Sequence, residues 1–150
     1  MFGKFTCAAV AVLAINPLTA FAQSVSECDW RASSEVLAEP WESNTRTFAN
    51  GQIRVAVIDT VEPAAASFHL LVLSPPYDEL GSRQCRIVSL EEGFGFAGFD
   101  LSQAVANYDP SRGLTVQAPV TIWSDGDQYY ERWLAVTINS ATGDVTGWVQ

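Results

Sequence analysis

Short runs rich in Val, Ile and Leu mark the middle of this chain, and alternation of apolar with polar positions marks its end. Segments 52–61 (QIRVAVIDTV) and 68–74 (FHLLVLS) are short runs rich in these residues and apolar on both faces, the pattern of strands covered on both sides. The linker EPAAAS is short enough that the two are expected to pair antiparallel. After a turn-rich stretch, PPYDELGSR, segment 84–90 (QCRIVSL) predicts a third strand. The last 37 residues read as a meander: LTVQA and PVTIW, the turn SDGD, YERWLAVTIN, the turn SATGD, and VTGWVQ. Alternation there puts Val120, Ile122, Leu134, Val136, Ile138, Val145 and Val149 on one face. The other face collects Thr121, Trp123, Trp133, Thr137, Thr146 and Trp148. Pro119 in the first of these strands implies an edge position or a bulge.

Two short helices complete the pattern. Ser33 or Ser34 caps the first, Glu35 sits in its first turn and Pro40 stops it. The second covers 100–108 (DLSQAVANY) with Asp100 as its cap, and DPSRG (109–113) is a turn. A domain of this size needs two packed layers, so a helix over 101–107 is expected to lie across the tryptophan face. If uncovered, that face would stack a sugar ring or dock a partner. The fold expected is α+β but mostly β: one domain of antiparallel strands, a sandwich or a partly closed barrel, with two short helices.

The N-terminus carries a different pattern. Lys4 precedes an apolar run from Phe5 to Ile15, Asn16-Pro17 breaks it, and Ala20-Phe21-Ala22 is an A-x-A site. The run is too short to span a bilayer, and residues 1–22 are expected to be a secretory signal removed before Gln23. No later stretch is apolar and long enough for membrane insertion. The expected destination is the periplasm or the exterior, with the domain formed by residues 23–150. Removal of the signal takes the only lysine and leaves seven arginines against seventeen carboxylates, a net charge of −10. Such a surface repels nucleic acid and acidic membranes and suits a cationic partner. Schiff-base chemistry has no lysine to use. Cys28 and Cys85 are the remaining thiols in an oxidising compartment and are expected to pair. A loop of that length makes the bridge worth roughly 4 kcal/mol.

Candidate chemistry is sparse. Residues 93–98, GFGFAG, match the G-x-G-x-x-G string of dinucleotide sites, but Glu91-Glu92 before it would repel a pyrophosphate. The following helix is cut short at Asp109-Pro110, and no acid lies where a ribose contact needs one. The glycines instead leave one side of an extended segment bare for a close neighbour, with Phe94 and Phe96 together on the other. His69, the only histidine, alternates with Leu71 and Leu73 and is expected on an apolar face. As a general base it would need Ser67 or Asp59 beside it. Asp125, Asp127 and Glu131 form the densest oxygen cluster, yet their spacing fits no calcium loop and Asp125-Gly126 is a hairpin signal. Glu91 and Glu92 point to opposite faces of a strand and read as solvated charges.

No catalytic residue, metal site or cofactor is therefore expected. The sequence reads as an exported, non-catalytic binding protein for an unidentified protein or small ligand of cationic character, with Trp123, Trp133 and Trp148 as its contact surface. The alternative is a small exported hydrolase that uses His69. The setting of that histidine separates the two.

Overall fold

The computed structural model describes residues 21–124 and 126–150. Of the expected signal segment 1–22, residues 1–20 lie outside the described residues, whereas Phe21 and Ala22 pair with Val149 and Trp148 in the second sheet. Among those described, no helix is long and apolar enough to cross a membrane.

The apolar runs form the centre of the first sheet. Its strands are β2 (Ser24–Glu27), β3 (Thr45–Phe48), β4 (Ile53–Asp59), β5 (Phe68–Tyr77) and β6 (Arg83–Ser89), in the order β2-β6-β5-β4-β3, all antiparallel. The second sheet holds the meander and its additions. Strand β1 (Phe21–Ala22) precedes β2; β7 (Gly98–Phe99), β8 (Val105–Asp109), β9 (Gly113–Ser124), β10 (Gln128–Ile138) and β11 (Val145–Val149) follow β6. Their order is β1-β11-β10-β9-β7, with β8 also paired to β9. The two sheets do not close on each other; the molecule is a sandwich, not a barrel.

One core fills the space between the sheets. Val55, Val57, Leu70, Val72 and Val88 come from the first sheet; Val120, Leu134, Val136 and Ile138 come from the second. Each is at most 2 % exposed, and full burial of such a side chain stabilises the fold by about 1.5–3 kcal/mol. Ile122, Val145 and Val149 pack at the margin, as their alternation predicts. The first sheet also has an apolar outer face. Ala56, Ile58, Leu71 and Ile87 lie there under Ala32, Val36 and Leu37, so the apolar runs are covered from both sides. The Cys28–Cys85 disulfide, with Cα atoms 5.4 Å apart, ties this cover to β6.

The first expected helix is different in detail. Two short 3-10 turns, Trp30–Ala32 and Ser34–Val36, occupy its place, and the only α-helical turn among the described residues, α1 (Trp41–Asn44), begins after Pro40. Asp29, rather than a serine, accepts the first turn's backbone N–H from Arg31 at 3.0 Å. Pro40 fits the entry of α1 because an entry position needs no N–H. Pro119 is also tolerated without a bulge. Its cross-strand partner Trp133 bonds through both N–H and C=O to Gln150, so the Trp133–Pro119 pair requires no ladder bond from the proline.

Candidate functional site

The outer face of the second sheet gathers the aromatic residues. Strand register sets Trp123 opposite Tyr129, Thr121 opposite Glu131 and Pro119 opposite Trp133. On β10 the sequence Tyr129, Glu131, Trp133 thus places a carboxylate between two aromatic rings, each step roughly 7 Å along the strand. The rings are open: Trp123 is 38 %, Tyr129 61 % and Trp133 42 % exposed. Glu131 forms no ion pair among the described residues. Tyr129 was not evident as a member of this face from the tryptophans alone. Extending the same alternation from Trp133 through Glu131 finds it.

No helix crosses these rings, contrary to the expectation for 101–107. Leu101–Gln103 is a single 3-10 turn, and β8 joins the edge of the same sheet instead. The reason is local. Asp100 caps the turn through the Ser102 N–H at 3.0 Å, Ala104 returns to extended backbone, and Asp109 nucleates a tight turn by accepting from the Ser111 N–H at 2.7 Å. Residues 105–109 are then aligned to pair with 113–117.

Trp148 shares the face but not the exposure of the other two tryptophans. It is half-buried, and the Arg112 guanidinium stands 5.7 Å from the centre of its ring. Ala135, its direct partner on β10, is fully buried. This end of the face already holds a cation on an indole.

His69 is buried, 2 % exposed, with Nδ1 2.8 Å from Ser89 Oγ. The Arg31 guanidinium, which can only donate, reaches the same Oγ at 3.5 Å. Burial and then the charge of Arg31 lower the imidazole pKa to about 4, leaving it neutral at pH 7. Asp29 holds Arg31 in place at 2.7 Å, and the same guanidinium keeps the Asp29 carboxyl below its ordinary range. Neither expected partner of the histidine is used. Asp59 accepts from the Val61 N–H at 2.9 Å, and the Ser67 carbonyl accepts from the Thr60 N–H. Ser89 was missed, although the β5–β6 register that pairs Leu70 with Val88 also sets His69 opposite Ser89. Serine and imidazole have the contact of a nucleophile and a base. Both side chains are buried, and a weakly basic imidazole in that position serves as a satisfied structural group.

The glycine string is where the chain changes sheets. Glu91 and Phe94 bond to each other through both N–H and C=O, with Gly93 at φ +80° in the turn between them. Phe96 then exchanges both backbone bonds with Phe68 of the first sheet, and the Ala97 N–H bonds to Thr121 of the second. A Cβ at Gly95 would collide with the Phe68 carbonyl oxygen and lie 2.8 Å from that of Ala66. Only glycine permits that approach. The expected pairing of Phe94 with Phe96 on one face is corrected: the turn separates them, leaving Phe94 exposed and Phe96 fully buried, edge-on to Phe99 at 5.8 Å. Glu91 and Glu92 are exposed beside the turn.

Asp125 lies outside the described residues. Gly126 and Asp127 have φ of +90° and +56°, consistent with hairpin geometry, and no cluster of metal-ligating side chains occurs among the described residues. Comparison with known proteins returned no match: no protein family fits the chain, and neither the curated proteins nor the solved structures contain a significant relative.

Proposed function

We propose that this is an exported, non-catalytic binding protein of the periplasm or the exterior, which docks a cationic protein partner through Trp123, Tyr129, Glu131 and Trp133. The observation that carries the reading is the open aromatic face with a carboxylate set among its rings. A Lys or Arg side chain over an exposed indole gains about 0.5–1 kcal/mol, more when desolvated, and the adjacent carboxylate adds a charged partner. The net charge of −10 in the mature chain draws a basic protein toward this surface at long range. Trp148, already faced by Arg112, contributes as a support for the face and not as a contact. The Cys28–Cys85 disulfide and the Lys4 charge followed by the apolar run Phe5 to Ile15 support export.

The alternative of a hydrolase has the His69–Ser89 contact in its favour and the burial of both groups against it. One experiment addresses both readings. Pull-down from the native envelope is compared between the wild type, Trp123→Ala/Trp133→Ala and Ser89→Ala. The proposal expects a basic protein to be captured, released by high salt, and lost only in the tryptophan double variant. Capture unchanged by that variant, or hydrolysis of an ester panel lost in Ser89→Ala, would count against it.

A further inference from the structure

The cover over the first sheet is incomplete. Between Leu37 and α1 it leaves a pocket of about 290 Å³, walled by Leu37, Trp41, Ala56, Leu71 and Leu73, with Arg54 as the only charged residue in its lining. Register explains the composition. Thr45 pairs with Ala56 and Ala56 with Leu71, while Arg54 pairs with Leu73, so these side chains rise from the same outer face. The disulfide-tied segment covers Ile58 and Ile87 further along that face and stops at Leu37. Trp41, the first residue of α1, stands at the rim and is 55 % exposed.

Arg54 differs from the other arginines of the fold. Arg31 is paired with Asp29; Arg46, Arg83, Arg86 and Arg132 bond to backbone carbonyls; Arg112 faces Trp148. Arg54 has no hydrogen bond, ion pair or aromatic contact among the described residues, and no carboxylate lines the pocket to neutralise it. An unpaired guanidinium at the mouth of an apolar cavity is complementary to one anionic head on an apolar body.

We propose that this pocket binds a small apolar monocarboxylate of the medium-chain fatty-acid class. Its chain lies against Leu37, Ala56, Leu71 and Leu73 under the Trp41 ring, and its carboxylate takes the guanidinium of Arg54 in a two-point contact. The volume lies at the lower end of ligand pockets, which limits the occupant to a single short chain. The acidic surface does not oppose this. At physiological salt its repulsion is screened beyond about 8 Å, whereas the carboxylate and Arg54 are in contact. The site is on the sheet opposite the aromatic face, so it stands or falls independently of the cationic partner.

Titration calorimetry of the exported protein with n-octanoate tests the assignment, with n-octanol as the uncharged probe. Saturable one-to-one binding of octanoate is expected, weakened about tenfold or more by Arg54→Gln and several-fold by Trp41→Ala. Octanol is expected to bind the wild type no better than octanoate binds Arg54→Gln. Both substituted residues are exposed, so an unchanged melting curve for each variant verifies folding. Absence of saturable binding at millimolar octanoate would overturn the proposal, as would equal affinity for octanol or indifference to Arg54→Gln. A concentration-dependent dimer that Trp41→Ala dissolves and octanoate does not displace would assign the pocket to a second copy and equally overturn it.

Discussion

The outer faces of the two sheets arise from the same strand alternation and have opposite fates. On the first sheet the outward positions are Ala56, Ile58, Leu71 and Ile87, and a disulfide-tied segment with two short turns covers them. On the second sheet the outward positions include Thr121, Trp123, Tyr129, Glu131 and Trp133, and Trp123, Tyr129 and Trp133 remain 38 to 61 % exposed. Aliphatic side chains gain stability only by leaving water, so a face made of them must acquire a lid. Tryptophan and tyrosine tolerate a half-wet setting because each carries a polar group on a large apolar body. The chemistry of each face therefore accounts for which one is covered and which one stays open.

The largest expected effect comes from removing the lid's attachment. Cys28→Ser/Cys85→Ser opens a bridge spanning 57 residues and is expected to cost about 4 kcal/mol in denaturant unfolding. It should also expose the outer cluster of the first sheet to a hydrophobic dye. Retained stability without dye binding would mean that the lid holds by packing alone, which would weaken the contrast between the faces. Gly95→Ala tests the corner that joins the two sheets. The added methyl meets the Phe68 carbonyl oxygen, and a loss of about 3 kcal/mol is expected from thermal melting. A loss below about 0.5 kcal/mol would show that the corner relaxes freely.

His69 gives the contrast a pH signature confined to the covered side. Its pKa is about 4 in the fold against an ordinary 6.5, so the unfolded chain binds the proton more readily. Stability from the neutral buried ring is complete above pH 6.5 and is lost as pH falls through the window to about 4. The loss should be about 2 kcal/mol after allowance for solvent screening. Melting from pH 7.5 to 4 reads this, and His69→Gln should flatten the slope while lowering stability throughout by about 1–3 kcal/mol. The lowered carboxyls of Asp29, Asp100 and Asp109 lose their contribution only from about pH 5 downward, so the slope between pH 7.5 and about 5 belongs to His69. An unflattened slope would place the titration elsewhere in the fold.

The smallest effects belong to the open face. Trp133→Ala and Trp123→Ala should each change stability by less than about 1 kcal/mol, because exposed side chains lose little on truncation. Trp148→Ala, which uncovers Ala135 and frees Arg112, should cost about 1–2 kcal/mol. Equal losses at all three positions would mean that the face is structural throughout.

Much of this fold was legible in the chain because the decisive signals are local. The apolar runs at 55–58 and 70–73 announce strands covered on both faces, since any strand so built must hide both rows. Alternation from Val120 to Val149 divides the meander into a core row and an outer row without reference to anything distant. The pairing of Cys28 with Cys85 expected from the sequence is present in the structure. Tertiary structure alone decided the rest. Residues 105–109 are a strand and not a helical turn because β9 lies alongside with free backbone groups, a condition the segment does not carry in itself. The sequence names Phe94 and Phe96 as equals, yet one is in water and the other in the core, because a turn closes between Glu91 and Phe94 before the chain crosses to the second sheet. His69 meets Ser89 instead of Ser67 or Asp59 because strand register, fixed by the pairing of whole apolar rows, chooses partners twenty residues apart. Spacing along one strand can be read from its own residues; what lies across from it depends on the free energy of every strand at once.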